Sequence, residues 1–306
     1  MHMALAVDPV EQFDEALLHH LGERFGHRPP EQFALANQTL QKAMKHVKTG
    51  FIDKRAKARA RLPEFDDLRD QARDIKNHTL ANLDVYLERY EEKVTAAGGE
   101  VHWAATAEDA RQAVLDICKR VEAKVVTKGK SMISEEIALN QAMEAAGLDV
   151  VETDLGEYII QLRKEPPSHI IAPAVHLTKD QVEADFRHHH SELPSERSLE
   201  EPVQLVAEAR QMLRRRFLEA DVGITGANFL VAETGTSIIV TNEGNGDLTQ
   251  TLPRVHIVVA SLEKVVPNLE DATTILRVLA RSATGQEFSS YTTLSTGPRR
   301  PEDLDG

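Results

Sequence analysis

The 306-residue chain has one cysteine, Cys118, and one tryptophan. A single thiol excludes an intramolecular disulfide and any metal centre built from cysteines alone. Cys118 falls in an apolar helical run (Ala113, Val114, Ile117, Val121), which predicts a buried, inert thiol rather than a nucleophile. Aromatic residues make up 5% of the chain, too few for a platform on which single-stranded nucleic-acid bases would stack. Positive charge is in deficit, and the formal net charge of −13 argues against general binding of nucleic acid or an anionic membrane. No apolar run is long enough to span a bilayer. The opening MHMALAVDPVEQ has no basic segment leading into an apolar one, so a cytoplasmic location is the expectation. Internal repeats and low-complexity linkers are also missing.

Apolar content is 41%, and the length allows one large domain or two smaller ones. From Val10 to about Ala97 the pattern is helical, with Leu68, Ala72, Ile75, Thr79, Leu83, Tyr86 and Tyr90 at helical spacing until Gly98-Gly99. Within it, Lys42 to Arg61 is a basic run that suits a solvated helix face or a dock for an acidic partner. After Gly99 strands alternate with helices. The expected strands are Glu100–Trp103, Lys124–Thr127, Asp149–Glu152, His169–Ala172 and Val255–Ala260. The expected helices are Thr106–Arg120, Ser134–Ala146 (capped by Ser134), Thr178–His188, Ser198–Ala220 and Glu270–Arg281. Such alternation implies an α/β fold, a mainly parallel sheet with helices on both faces. A helical N-terminal region, 1–98, would pack on an α/β body, 99–306.

The stretch Ala220 to Leu248 organises the rest. Its short, β-branched runs predict strands at Asp221–Thr225, Phe229–Ala232 and Ser237–Thr241 in one covered sheet. Polar residues collect where these strands end: Asn228, Glu233, Thr234, Glu243 and Asn245. Ligand sites of open α/β sheets form at such ends, so these residues are expected to converge with Lys128, Lys130 and Ser131 on one pocket. Glu233 and Glu243 are the candidate catalytic carboxylates, because a charge between apolar strands is costly unless paired or functional. Lys128-Gly-Lys-Ser-Met-Ile-Ser134 suits a phosphate or carboxylate ligand, or else is a capped helix start with solvated lysines; it is not a Walker A loop. Glu152-Thr-Asp-Leu-Gly-Glu157 crowds three carboxylates at a strand end. Glu152 and Glu157 can serve as an acid–base or ligand-binding pair, whereas Asp154 reads as a turn residue. His176 and His256 read as satisfied core histidines, and His188-His-His190 as a helix end entering a loop. No metal site is expected in this chain.

Several segments together resemble the lactate-utilization protein B family: KGKSMISEEIALNQAMEAAG, VVETDLGEYIIQL, PSHIIAPAVH, VGITGANFLVAETGTSIIV, NEGNGDLTQTLP and EKVVPNLED. In the N-terminal half, RDIKNHTLANLDVYLERYEEKV and GGEVHWA do so too, and the likeness runs from roughly Gln38 onward. The resemblance implies a LUD domain with the fold of ribose-phosphate isomerase and CoA transferases. It also implies a part in oxidising L-lactate to pyruvate, as an iron–sulfur electron carrier beside two partner subunits. The family's [4Fe-4S] clusters sit on C-x-x-C-x-x-C patterns in a ferredoxin-like segment, and none of these is present here. The chain thus looks like the amino-terminal domain of such a protein, with no cofactor of its own. The alternative is a stand-alone small-molecule or acyl/CoA-type enzyme, or a ligand-binding domain, using Glu233 or Glu243. The hydroxyl-rich Ser289–Gly297 is expected to be an extended strand or a loop rather than a helix, and Arg299–Gly306 to be poorly ordered.

Overall fold

The computed structural model describes residues 52–129, 131–165, 167 and 173–300, and the backbone of residues 2–7. The expected strand at His169–Ala172, residues 42–51 of the basic run, Lys130 and residues 301–306 lie outside them.

A six-stranded, all-parallel sheet forms the centre. Its strands are β1 (His2–Val7), β2 (Glu100–Trp103), β3 (Val125–Lys128), β4 (Asp149–Glu152), β5 (Val222–Thr225) and β8 (Val255–Ser261). They lie in the order β2-β1-β8-β5-β3-β4. Every residue of β8 is buried, as a central parallel strand covered on both faces requires. Its alternate side chains enter different layers. Ile257 and Val259 pack with helices α4 (Ala107–Arg120) and α6 (Leu139–Ala145), whereas Val258 and Ala260 pack with α3 (Leu83–Ala96). Helix α4 shows why the segment folds as it does. Thr106 and Asp109 form a reciprocal capping box, and Ala110, Val114, Ile117 and Cys118 make one buried stripe. Burial pushes the Cys118 thiol up to about 11, consistent with the inert role expected of it.

A second, four-stranded sheet has the order β10-β7-β6-β9, formed by β6 (Phe229–Val231), β7 (Thr236–Thr241), β9 (Val265–Val266) and β10 (Tyr291–Thr296). Here the expectation of one covered sheet for Asp221–Thr241 is corrected: β5 belongs to the parallel sheet, while β6 and β7 form an antiparallel hairpin in the second. Both kinds of strand are short and apolar because each has a covered face, so hydropathy does not separate them. Helix α11 (Leu269–Ala283) covers this second sheet through Ala272 and Leu276, and α2 (Phe65–Ala81) backs α11. The hairpin turns at Gly235, whose φ is +70° and where a Cβ would lie 2.6 Å from the Val94 backbone nitrogen. β10 is an edge strand paired with β7, so of the strand or loop that the hydroxyl-rich sequence left open it is the strand.

Other departures are local. The region 1–98 holds three described helices, α1 (Asp53–Ala60), α2 and α3, and also β1, which inserts between β2 and β8. The expected helix Ser134–Ala146 is two: α5 (Met132–Glu136) and α6, parted by Ala138 in the left-handed region (φ 51°). Ser131, not Ser134, caps α5: its Oγ accepts from the Ser134 amide at 3.3 Å. Asp154 is a helix cap rather than an isolated turn residue, accepting from the Gly156 and Glu157 amides at the start of α7 (Leu155–Arg163). Helices α8 (Lys179–His189) and α9 (Pro202–Glu219) follow, then α10 (Asn245–Thr251). Helix α10 crosses β5 so closely that a Cβ on Gly223 would lie 1.8 Å from the Thr249 carbonyl oxygen. Among the described residues, no helix is long and apolar enough to cross a membrane.

Candidate functional site

A cleft of about 500 Å³ opens where strands of the parallel sheet end and the second sheet begins, within the size range of small-molecule sites. The β5–β6 connection Gly226-Ala227-Asn228 forms one wall, and Ser131, Met132, Ile133 and Glu136 around α5 form another. Ile239 to Thr241 of β7 and Leu279, Ala280 and Ala283 of α11 give it an aliphatic side. Glu243, Asn245, Asp154, Ser261, Glu263 and Lys264 supply polar groups. Asn228 is partly committed to structure, its Oδ1 accepting from the Val240 amide at 2.8 Å. At the end of β8, Ser261 donates to Glu263 Oε1 at 2.5 Å, and Lys264 Nζ is 3.4 Å from the same oxygen. Glu263 Oε2 is buried without a donor.

Beside this cleft lies a buried charge cluster at the ends of β3 and β4. Lys128 is fully buried, and its ammonium lies 2.6 Å from Glu135 Oε1 and 2.9 Å from Glu152 Oε1. Asn140 donates to Glu152 Oε1 at 2.6 Å, and the Glu152 amide donates to Gln161. Burial works against the charge on Lys128, but Glu152, Glu135 and Glu157 outweigh it and hold the ammonium above the ordinary lysine range. Glu157 responds the other way. Burial, then the negative charge of Glu152, raises its carboxyl to about 9, so it carries a proton at neutral pH and shares it with Glu152. Glu152 Oε2 and Glu157 Oε2 are buried with no other partner. One oxygen each from Glu135, Glu152 and Glu157 falls within 4.8 Å of the others, a donor set that suits a hard cation. In this chain the Lys128 ammonium already supplies the positive charge there. Buried ion pairs contribute little net stability, so a cluster of this kind at strand ends points to use.

The residues singled out from sequence separate into groups. Ser131, Asn228, Glu243 and Asn245 line the cleft. Lys128, Glu152 and Glu157 form the buried cluster, linked to Asn245 through Thr153, whose Oγ1 accepts from Asn245 at 3.4 Å. Glu233 and Thr234 lie elsewhere, exposed in the β6–β7 turn. A carboxylate there stays hydrated, so the desolvation argument that singled out Glu233 does not operate. Lys128 is not a free anion-binding lysine, because two carboxylates hold it. Glu135, Glu263 and Ser261 were missed. Ser261-Leu-Glu-Lys264 follows a strand as the chosen motifs do, and that was the available signal. His256 hydrogen-bonds Thr225 at 2.8 Å and His176 meets Glu165 at 3.2 Å. His190 is buried between the Tyr158 hydroxyl at 2.8 Å and Glu208 at 2.7 Å, in a packing network away from the cleft.

Residues 87–306 match the LUD domain family. The chain belongs to that family. It is 44% identical over 273 residues to lactate utilization protein B of Bacillus licheniformis, covering 89% of this chain and 56% of that protein. Lactate utilization protein B of Macrococcus caseolyticus is 44% identical over 286 residues (89% and 59%), and that of Bacillus subtilis 42% over 271 (88% and 56%). The chain thus spans little more than half the length of the curated relatives it matches. No solved structure matches it. The cluster chemistry implied by the resemblance does not fit the donors of this chain, since Cys118 is its one thiol and is buried.

Proposed function

We propose that this LUD domain serves the oxidation of L-lactate to pyruvate, as a cytoplasmic component acting with two other lactate-utilization subunits. Its cleft would hold the small-molecule ligand, and the Glu152–Glu157 pair would keep a proton close to it. The observation that carries this reading is the cleft at the ends of parallel strands with the Lys128, Glu152 and Glu157 cluster beside it. The names of the relatives supply the substrate. Oxidising lactate to pyruvate releases two electrons and two protons, and a buried carboxyl–carboxylate pair is a fit group for handling a proton away from bulk water. The electrons would leave through [4Fe-4S] clusters of the kind the family carries on its cysteine patterns; no step of that transfer is assigned to residues of this chain.

Deleting the gene in its own host tests the reading. The deletion strain should fail to grow on L-lactate yet grow on pyruvate, and the wild-type gene should restore growth. Undiminished growth on L-lactate would refute it. The position of Glu243 on the cleft favours a second reading, a stand-alone acyl- or CoA-type enzyme. Thioester turnover by this chain alone would establish that one instead.

A further inference from the structure

The size and the walls of the cleft exceed what a three-carbon acid can fill. Its volume is about 500 Å³, and most of the surface facing it is carbon. One side is made by Ile239 and Val240 of β7 with Leu279, Ala280 and Ala283 of α11. Val240 and Leu279 also pack on the core that holds Val231 and Leu276, so this side is fixed by the second sheet. On the wall formed by α5, Met132 is 47% exposed. A large apolar side chain left open to a cleft marks a surface that a ligand covers, and methionine adapts its shape to what it meets. Ser131 and Asn245 bring neutral hydrogen-bonding groups to the same space. Lactate offers this surface one methyl group and leaves most of it wet.

We infer that the cleft takes an amphipathic small molecule whose aliphatic chain is longer than the methyl of lactate. The chain packs against Met132 and against Leu279 and Ala283 of α11, which makes these three side chains the ones that set how long a ligand is accepted. This rests on the cleft being the ligand site proposed above.

Two homologous series test it by calorimetry on the full chain: the 2-hydroxy acids from L-lactate to 2-hydroxyoctanoate, and the primary alcohols from propanol to octanol. They differ in the polar end and share the chain. In at least one series affinity should rise by about two- to four-fold per added methylene, so that the longest member binds at least about ten-fold more tightly than the shortest. Ala283→Phe fills the aliphatic side from a half-buried position and should remove most of that gain. Met132→Gln should remove part of it with an unchanged melting temperature, because its position is exposed; it keeps the test open if Ala283→Phe fails to fold. Equal affinity along both series, no binding by any member, or a rise that Met132→Gln leaves unaltered would each overturn the inference. The growth phenotype of the deletion strain is independent of these outcomes, so the ligand class can fail while the lactate role stands, and the reverse.

Discussion

Replacing Glu157 by Gln isolates the buried proton. In the folded protein the Glu157 carboxyl is raised from 4.5 to about 9, by burial and by the charge on Glu152. Between those values the native state keeps a proton that the unfolded chain has released. Stability therefore falls as pH rises through that window, at up to about 1.4 kcal/mol per pH unit. From pH 6 to pH 8 the wild type should lose up to about 3 kcal/mol from this group alone. Glu157→Gln keeps the shape and a hydrogen-bond donor for Glu152 but cannot titrate, so it should lose less by that amount, other groups being common to both proteins. Urea denaturation at the two pH values reads the difference as a change in midpoint of about 1 M, given the usual slopes for chains of this size. Equal pH slopes in the two proteins would show that Glu157 is ionised and the proton-sharing account wrong.

Lys128→Met removes the cation from two carboxylates, one of them buried, and should destabilise the protein by about 3–5 kcal/mol in the same assay. Gly235→Ala forces an L residue to a φ of +70° against the Val94 backbone; it should cost more than about 2 kcal/mol and increase amide exchange in α3. Glu233→Ala, in the exposed hairpin turn, should change stability by less than about 0.5 kcal/mol and leave cleft binding intact. Cys118 should resist a thiol reagent at pH 8 until the protein is unfolded, when its single thiol titrates.

Much of the parallel sheet was legible because its signals are local. The run Val255–Ala260 is apolar but for His256, Thr106 and Asp109 announce α4, and Glu270 to Arg281 keeps one amphipathic stripe. What escaped depends on distant partners. β1 is a six-residue segment whose strand character comes from pairing with β2 and β8, more than ninety residues away. The break at Ala138 is invisible in a sequence of good helix formers, because alanine rarely adopts a positive φ. For the site, the strand-end rule found Asn228, Glu243, Asn245 and the Glu152–Glu157 pair. It misplaced Glu233, since a turn and a strand end look alike until the pairing is known. Glu263 was passed over because a short 3₁₀ turn, Leu262–Lys264, carries no periodic signal.

The central claim is that the cleft at the strand ends is where this domain does its work in lactate oxidation. The most direct measurement is growth on L-lactate of the deletion strain supplied with the Glu263→Gln gene, at a protein level matched to the wild type. The account predicts that growth on L-lactate slows markedly while growth on pyruvate does not change. Growth on L-lactate equal to that with the wild-type gene would contradict it.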